Sequence, residues 1–164
     1  APHVSNDGSW IFDAGDPVSG ANFRVIRTDI HNYNFAEEDS FDLELMAESF
    51  ESSEFIDKAE SHYALTHQGY PALDGRYKAK SGSVFLTRFI IQGPHYYTLV
   101  AYGRKETPSM KKFLDSFVIK PYYYDNATTR RDTSLYFTVN SPVFPNETKE
   151  KLGLPRFNDE EEDE

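Results

Sequence analysis

A chain of 164 residues is long enough to bury a core of its own as a single domain. Its 27 acidic residues against 17 basic ones leave a formal charge of -10, which argues against nucleic acid as a partner. Having no cysteine excludes disulfides, thiolate metal sites and thiol chemistry, and no run approaches the ~20 apolar residues of a membrane-spanning helix.

The core material is aromatic, with 13 Phe and 11 Tyr, each ring burying a large area. Residues 1–22 are rich in Asp, Gly and Pro and read as an irregular arm, in which the apolar triplet Trp10-Ile11-Phe12 tucks against a sheet. The start at Ala1, without a basic-then-apolar leader, suggests a chain processed or excised from an exported protein. Phe23–Ile30 follows as a strand whose Arg and Thr content suggests a sheet edge or a partly wet face.

Asp39-Ser40 offers a helix start, and Leu43, Met46, Ala47 and Phe50 recur at i, i+3, i+4 and i+7, up to a stop at Ser52-Ser53. His62–Thr66 reads as a strand, Gly69-Tyr70-Pro71 as a loop and Asp74-Gly75 as a turn. Arg76–Lys80 alternates basic and less polar residues, the pattern of a strand with one solvated face. Ser81-Gly82-Ser83 then leads into the strongest signal in the chain. Val84–Ile91 and Tyr96–Tyr102 flank Gly93-Pro94 as a hairpin, completing a three-stranded antiparallel meander. In the first of these runs Val84, Leu86 and Ile90 share one face and Phe85, Phe89 and Ile91 the other, so the strand is central and covered on both sides.

Thr107-Pro108 starts a second helix, with Met110, Phe113, Leu114 and Phe117 on one stripe. Residues 121–145 read as linker and an extra strand around Leu135, Phe137 and Val139, which either adds to the sheet edge or opens a further unit. Residues 146–164 read as a poorly ordered tail ending in six consecutive acids.

Helix, antiparallel strands and closing helix make an α+β fold, an antiparallel β-sheet with helices on its faces. Gly69-Tyr70-Pro71-Ala72, the strand end Tyr96-Tyr97-Thr98-Leu99-Val100 and Phe113-Leu114-Asp115-Ser116-Phe117 resemble the PsbP-like fold family, an α/β/α sandwich, over residues 23–120. That fold is shared by a lumenal photosystem subunit, a Ran-binding nuclear import factor and many bacterial proteins of unknown role. The resemblance implies a non-catalytic binding or accessory domain and carries over no catalytic residue; a protein partner and no cofactor are expected.

No motif in the chain contradicts that expectation. The histidines His3, His31, His62, His67 and His95 lack metal-pair spacing and read as surface residues. Glu37, Glu38, Asp39, Asp42, Glu44 and Glu48 could offer oxygens to a hard cation, but there is no calcium-loop pattern, and an acidic helix start suits the macrodipole. Ser109 and Lys112 have Ser-x-x-Lys spacing without its companion motifs. A small hydrolase built on unpaired carboxylates, or a small-molecule site between sheet and helices, remain as alternatives. The aromatic surplus is the most suggestive feature. Tyr96, Tyr97, Tyr102, Tyr122, Tyr123 and Tyr124 could gather into an interaction patch, or could fill the core with their hydroxyls at its rim.

Overall fold

The computed structural model describes residues 3–4, 9–29, 38–121, 128–132 and 137–141. The chain divides into two units, residues 1–119 and 120–164. The first is an α+β unit built on one antiparallel sheet. Its strands are β1 (His3–Val4), β2 (Trp10–Asp16), β3 (Ala21–Asp29), β4 (Ile56–His67), β5 (Tyr70–Ala79), β6 (Val84–Gln92) and β7 (His95–Gly103). They lie in the order β1-β2-β3-β7-β6-β5-β4. The meander β4 to β7 is thus joined to the β2–β3 hairpin through the β3–β7 ladder. Helix α1 (Asp39–Glu51) follows β3, and α2 (Pro108–Ser116) follows β7.

The two-sided apolar pattern of β6 decides where the helices go. Phe89 and Ile91 face α1 and pack with Leu43, Ala47 and Leu73. Ile90 faces the other way, into a cluster with Ala72, Leu99, Leu114 and Ile119. Met110 of α2 meets Ala21 and Ala101 in a third cluster. The helices cover different halves of the sheet: α1 lies on β4, β5 and β6, whereas α2 lies on β7, β3 and β6. Thr107 precedes α2 in extended conformation and Pro108 occupies its first turn, as the sequence requires.

Four stretches depart from the sequence reading. Residues 10–16, expected within an irregular arm, form β2, because Asp13 pairs across the ladder with Arg24 and the Gly and Asp residues sit at positions a hairpin tolerates. Strand β3, expected at a sheet edge or with one face partly wet, is not at an edge but lies between β2 and β7; Asn22, Arg24 and Thr28 on one face are exposed, and Arg24 and Arg27 are ion-paired with Asp13 and Asp29. Tyr70-Pro71 and Asp74-Gly75, expected as loop and turn, are all within β5, and the turn is Gln68-Gly69 just before it. Gly75 serves a close approach, since a Cβ there would sit 2.6 Å from the Tyr77 ring and 2.7 Å from the Thr87 hydroxyl. Last, residues 128–131, expected as polar linker, belong to strand β8 (Thr128–Asp132), paired antiparallel with β9 (Phe137–Ser141) in a separate two-stranded sheet of the second unit. Residues 146–164 lie outside the described residues.

Candidate functional site

Two places in the first unit concentrate chemistry. One is a polar cluster on the α2 side of β4, β5 and β6. Arg88 projects from the middle of β6, only 4% of its side chain exposed, opposite Asp74 of β5. Its guanidinium grips that carboxylate with two bonds, Nε to Oδ1 at 2.6 Å and Nη2 to Oδ2 at 2.8 Å. Nη2 also donates to Asp115 at 3.1 Å, and Nη1 donates to the Leu114 carbonyl at 3.1 Å and to His67 Nδ1 at 3.2 Å. All five donors of the fork are therefore engaged. The Tyr63 hydroxyl donates to Asp74 at 3.0 Å.

His67, expected on the surface, is buried. Its Nε2 lies 2.8 Å from the Phe117 carbonyl, which can only accept, so the proton is on Nε2 and Nδ1 receives the bond from Arg88. The cluster thus terminates α2: two sheet residues satisfy carbonyls at and just beyond the last turn, where positive charge also favours the helix dipole. The pKa directions follow. The hydrogen bond with Asp74, ahead of burial, raises the Tyr63 phenol. Burial works to raise Asp115, but the hydrogen bond from Arg88 and the charge of Lys111 outweigh it and hold the carboxyl below its ordinary value. A cavity of about 220 Å³ opens beside this cluster toward Arg76, Glu106 and Lys111. Its charged groups are all ion-paired. Arg76 is held by Glu60 and Glu106, and Lys111 pairs with Asp115.

The second place is on the α1 side, over the half of the sheet that α1 leaves open. Phe50 at the end of α1, Phe55 in the connection to β4, Phe85 on β6 and Tyr102 on β7 form a continuous run of rings. Centroids are 5.9 Å apart for Phe50–Phe55, 5.4 Å for Phe55–Phe85 and 5.0 Å for Phe85–Tyr102, the last pair stacked at 7°. With Ile26 and Val100 as floor and Arg24 at the rim, these rings line a groove of about 430 Å³. Phe55 is 49% exposed, and with its neighbouring rings it leaves an apolar surface open.

The structure distributes the tyrosines named from the sequence differently. Tyr102 lies in the groove. Tyr96 is on the same sheet face, its hydroxyl bonded to Asp42 of α1. Tyr97 points to the opposite face, its ring 5.7 Å from Phe117 and its hydroxyl 3.4 Å from Gln92. Strand alternation therefore separates Tyr97 from the other two. Tyr122, Tyr123 and Tyr124 lie outside the described residues. The other groups weighed are placed as follows. His62 lies against the Tyr77 ring at 5.2 Å, and His95 contacts Asp29 at 2.5 Å. Ser109 bonds to Ser19 and Thr107. Among the described residues no three His, Asp or Glu side chains gather in a way that could hold a metal ion. No helix among the described residues is long and apolar enough to cross a membrane.

No protein-family model matches the chain, and no curated protein matches it by sequence. Among solved structures, PA94, a protein of unknown function from Pseudomonas aeruginosa, superposes with a TM-score of 0.50. The match covers 72% of this chain and 87% of that one at 17% sequence identity, a likeness of fold alone.

Proposed function

We propose that this chain is a non-catalytic interaction domain that holds an apolar side chain of a partner protein in the aromatic groove beside α1. The observation that carries the reading is the run Phe50–Phe55–Phe85–Tyr102, open among the described residues over the half of the sheet that α1 does not cover. A large ring that must stay wet in the free protein is what a partner's apolar anchor would dry. The polar cluster at Arg88 favours the same reading, because its donors and carboxylates are occupied by one another and it closes a helix end. The PsbP-like resemblance belongs to this proposal, since it implies a binding or accessory role.

The test places a photo-crosslinking amino acid at Phe55 of the full chain, in cells that make it, with Val118 as the control site. Both positions are exposed, Val118 at 64%, but only Phe55 borders the groove. A discrete polypeptide adduct from position 55 and none from 118 is the expected result. Equal adducts from both, or none from 55, refute the proposal. A second reading, a small-ligand site, draws on the groove's volume, which falls in the range of small-molecule pockets. It predicts an added mass of a few hundred daltons on the natively purified protein, lost in Phe85→Ser.

A further inference from the structure

Strand β4 forms the outer rim of the sheet among the described residues, with β5 on one side of it. The β4–β5 turn runs through Gln68 (φ 53) and Gly69 (φ 86), with His67 opposite Tyr70. In a two-residue hairpin of this left-handed type the pair next to the turn is hydrogen-bonded, and bonded and non-bonded pairs then alternate. His67, Leu65 and Tyr63 therefore spend their amides on β5, while Thr66, Ala64 and His62 aim theirs outward. Pro71 supports this assignment independently: it lies opposite Thr66 and has no N–H to give.

Outward amides on an edge strand invite another strand, and proteins block them with charges, prolines or bulges. Here the guards are confined to the first half of β4. Asp57, Lys58 and Glu60 lie there, as do both register shifts, between Ile56 and Lys58 and between Ala59 and Ser61. Residues 61–66, Ser-His-Tyr-Ala-Leu-Thr, carry no Asp, Glu, Lys, Arg or Pro, and five of the six are exposed.

Beside this open stretch runs the acidic side of α1. Glu44, Glu48 and Glu51 share one helix stripe, all are exposed, and α1 contains no basic residue. Together with His62, Ala64 and Leu73 they line a groove of about 460 Å³ between helix and strand, on the other flank of α1 from the aromatic groove. No ion pair engages the three glutamates among the described residues.

We propose that residues 61–66 of β4 accept an added strand from a partner protein, and that this strand carries Lys or Arg at alternate positions facing Glu44, Glu48 and Glu51. The backbone ladder would supply attachment, and the charge stripe would select the sequence and its face. The same stripe disfavours a second copy of this chain. Antiparallel pairing of two β4 edges about a two-fold normal to the sheet sets both α1 helices on one side, acid against acid. The site goes beyond the aromatic groove and does not depend on it.

The probe is a blocked heptapeptide, Lys-Val-Lys-Val-Lys-Val-Lys, at millimolar concentration against the full chain, with Glu-Val-Glu-Val-Glu-Val-Glu as control. Amide hydrogen exchange is read residue by residue by NMR. The lysine peptide should slow exchange at His62, Ala64 and Thr66 by about tenfold or more, and the glutamate peptide should not. Ala64→Pro, which removes an outward N–H and spares the β5 ladder, should abolish the effect with the thermal transition retained. The triple variant Glu44→Gln, Glu48→Gln, Glu51→Gln should weaken lysine-peptide binding by about tenfold without touching the strand. Absence of protection, equal protection by both peptides, or protection persisting in Ala64→Pro overturns the proposal. Protection that rises with protein concentration in the absence of peptide also overturns it, in favour of a second copy.

Discussion

Arg88 brings a full charge into a strand whose neighbours Thr87 and Phe89 are 0% and 1% exposed. It stays there because every donor of the fork meets an acceptor, two on β5, one on β4 and two on α2. Arg88→Ala leaves Asp74 buried without its counter-charge and should cost about 3–5 kcal/mol in urea unfolding. Arg88→Lys keeps the charge but loses the planar fork, and should recover less than half of that. If the lysine variant matches the wild type, the bidentate geometry has no energetic role. Tyr77 gives a second residue-scale expectation. Burial, opposed by the Thr87 hydroxyl, pushes its phenol up to about 12. In the unfolded chain this phenol ionises at its ordinary value of about 10, so the stability is fully present below pH 10 and is lost as pH rises toward 12. Urea unfolding should show roughly 1 kcal/mol lost to this residue between pH 9 and 11, and Tyr77→Phe should remove that part of the slope while other tyrosines keep theirs. A charged residue in an apolar strand could be seen in the sequence at Arg88. Its partner could not, because Asp74-Gly75 also reads as a turn, and only the β5–β6 register sets Asp74 opposite Arg88.

Among elements, the β6–β7 hairpin and α2 were the most legible, each marked by its run of apolar residues and by one punctuation signal: Gly93-Pro94 at the turn of the hairpin, Thr107-Pro108 at the start of the helix. Phe89→Asp places an unpaired charge in the α1-side cluster, and the cooperative melting transition should disappear. An unchanged transition would contradict the buried position of β6. The β4–β5 pair was legible only in part. Gly69-Tyr70-Pro71 and Asp74-Gly75 carry turn residues, yet Gly75 is there to admit the Tyr77 ring and Pro71 sits where no amide is needed. The tyrosine patch misread a rule the sequence does contain, since adjacent Tyr96 and Tyr97 on one strand face opposite ways. The aromatic groove was not legible at all. Its rings stand at positions 50, 55, 85 and 102, and only tertiary packing brings them together.

For the molecule as a whole, β2 shifts the start of the folded unit. A chain cut to begin at Phe23 loses β2 and Ala21, which is 1% exposed against Met110 and Ala101. At the other end Ile119 is buried, and its N–H bonds to the Gln68 side chain at 2.9 Å. Residues 1–120 should therefore give a two-state urea transition, and residues 23–120 a chain that is largely unfolded in water, as read by far-UV circular dichroism. If both fold alike, β2 is dispensable to the core.

The β3–β7 ladder has a consequence in time. Within the meander β4 to β7 each pairing joins strands adjacent in sequence, so each hairpin closes over a short loop. By contrast, Asn22 reaches Tyr102 and Asp29 reaches His95 across most of the intervening chain. Closing that long loop costs entropy before any contact returns it. The meander should form first and the β2–β3 ribbon dock last: trimming Val25 should leave the refolding rate nearly unchanged and speed unfolding, whereas trimming Ile90 should slow refolding.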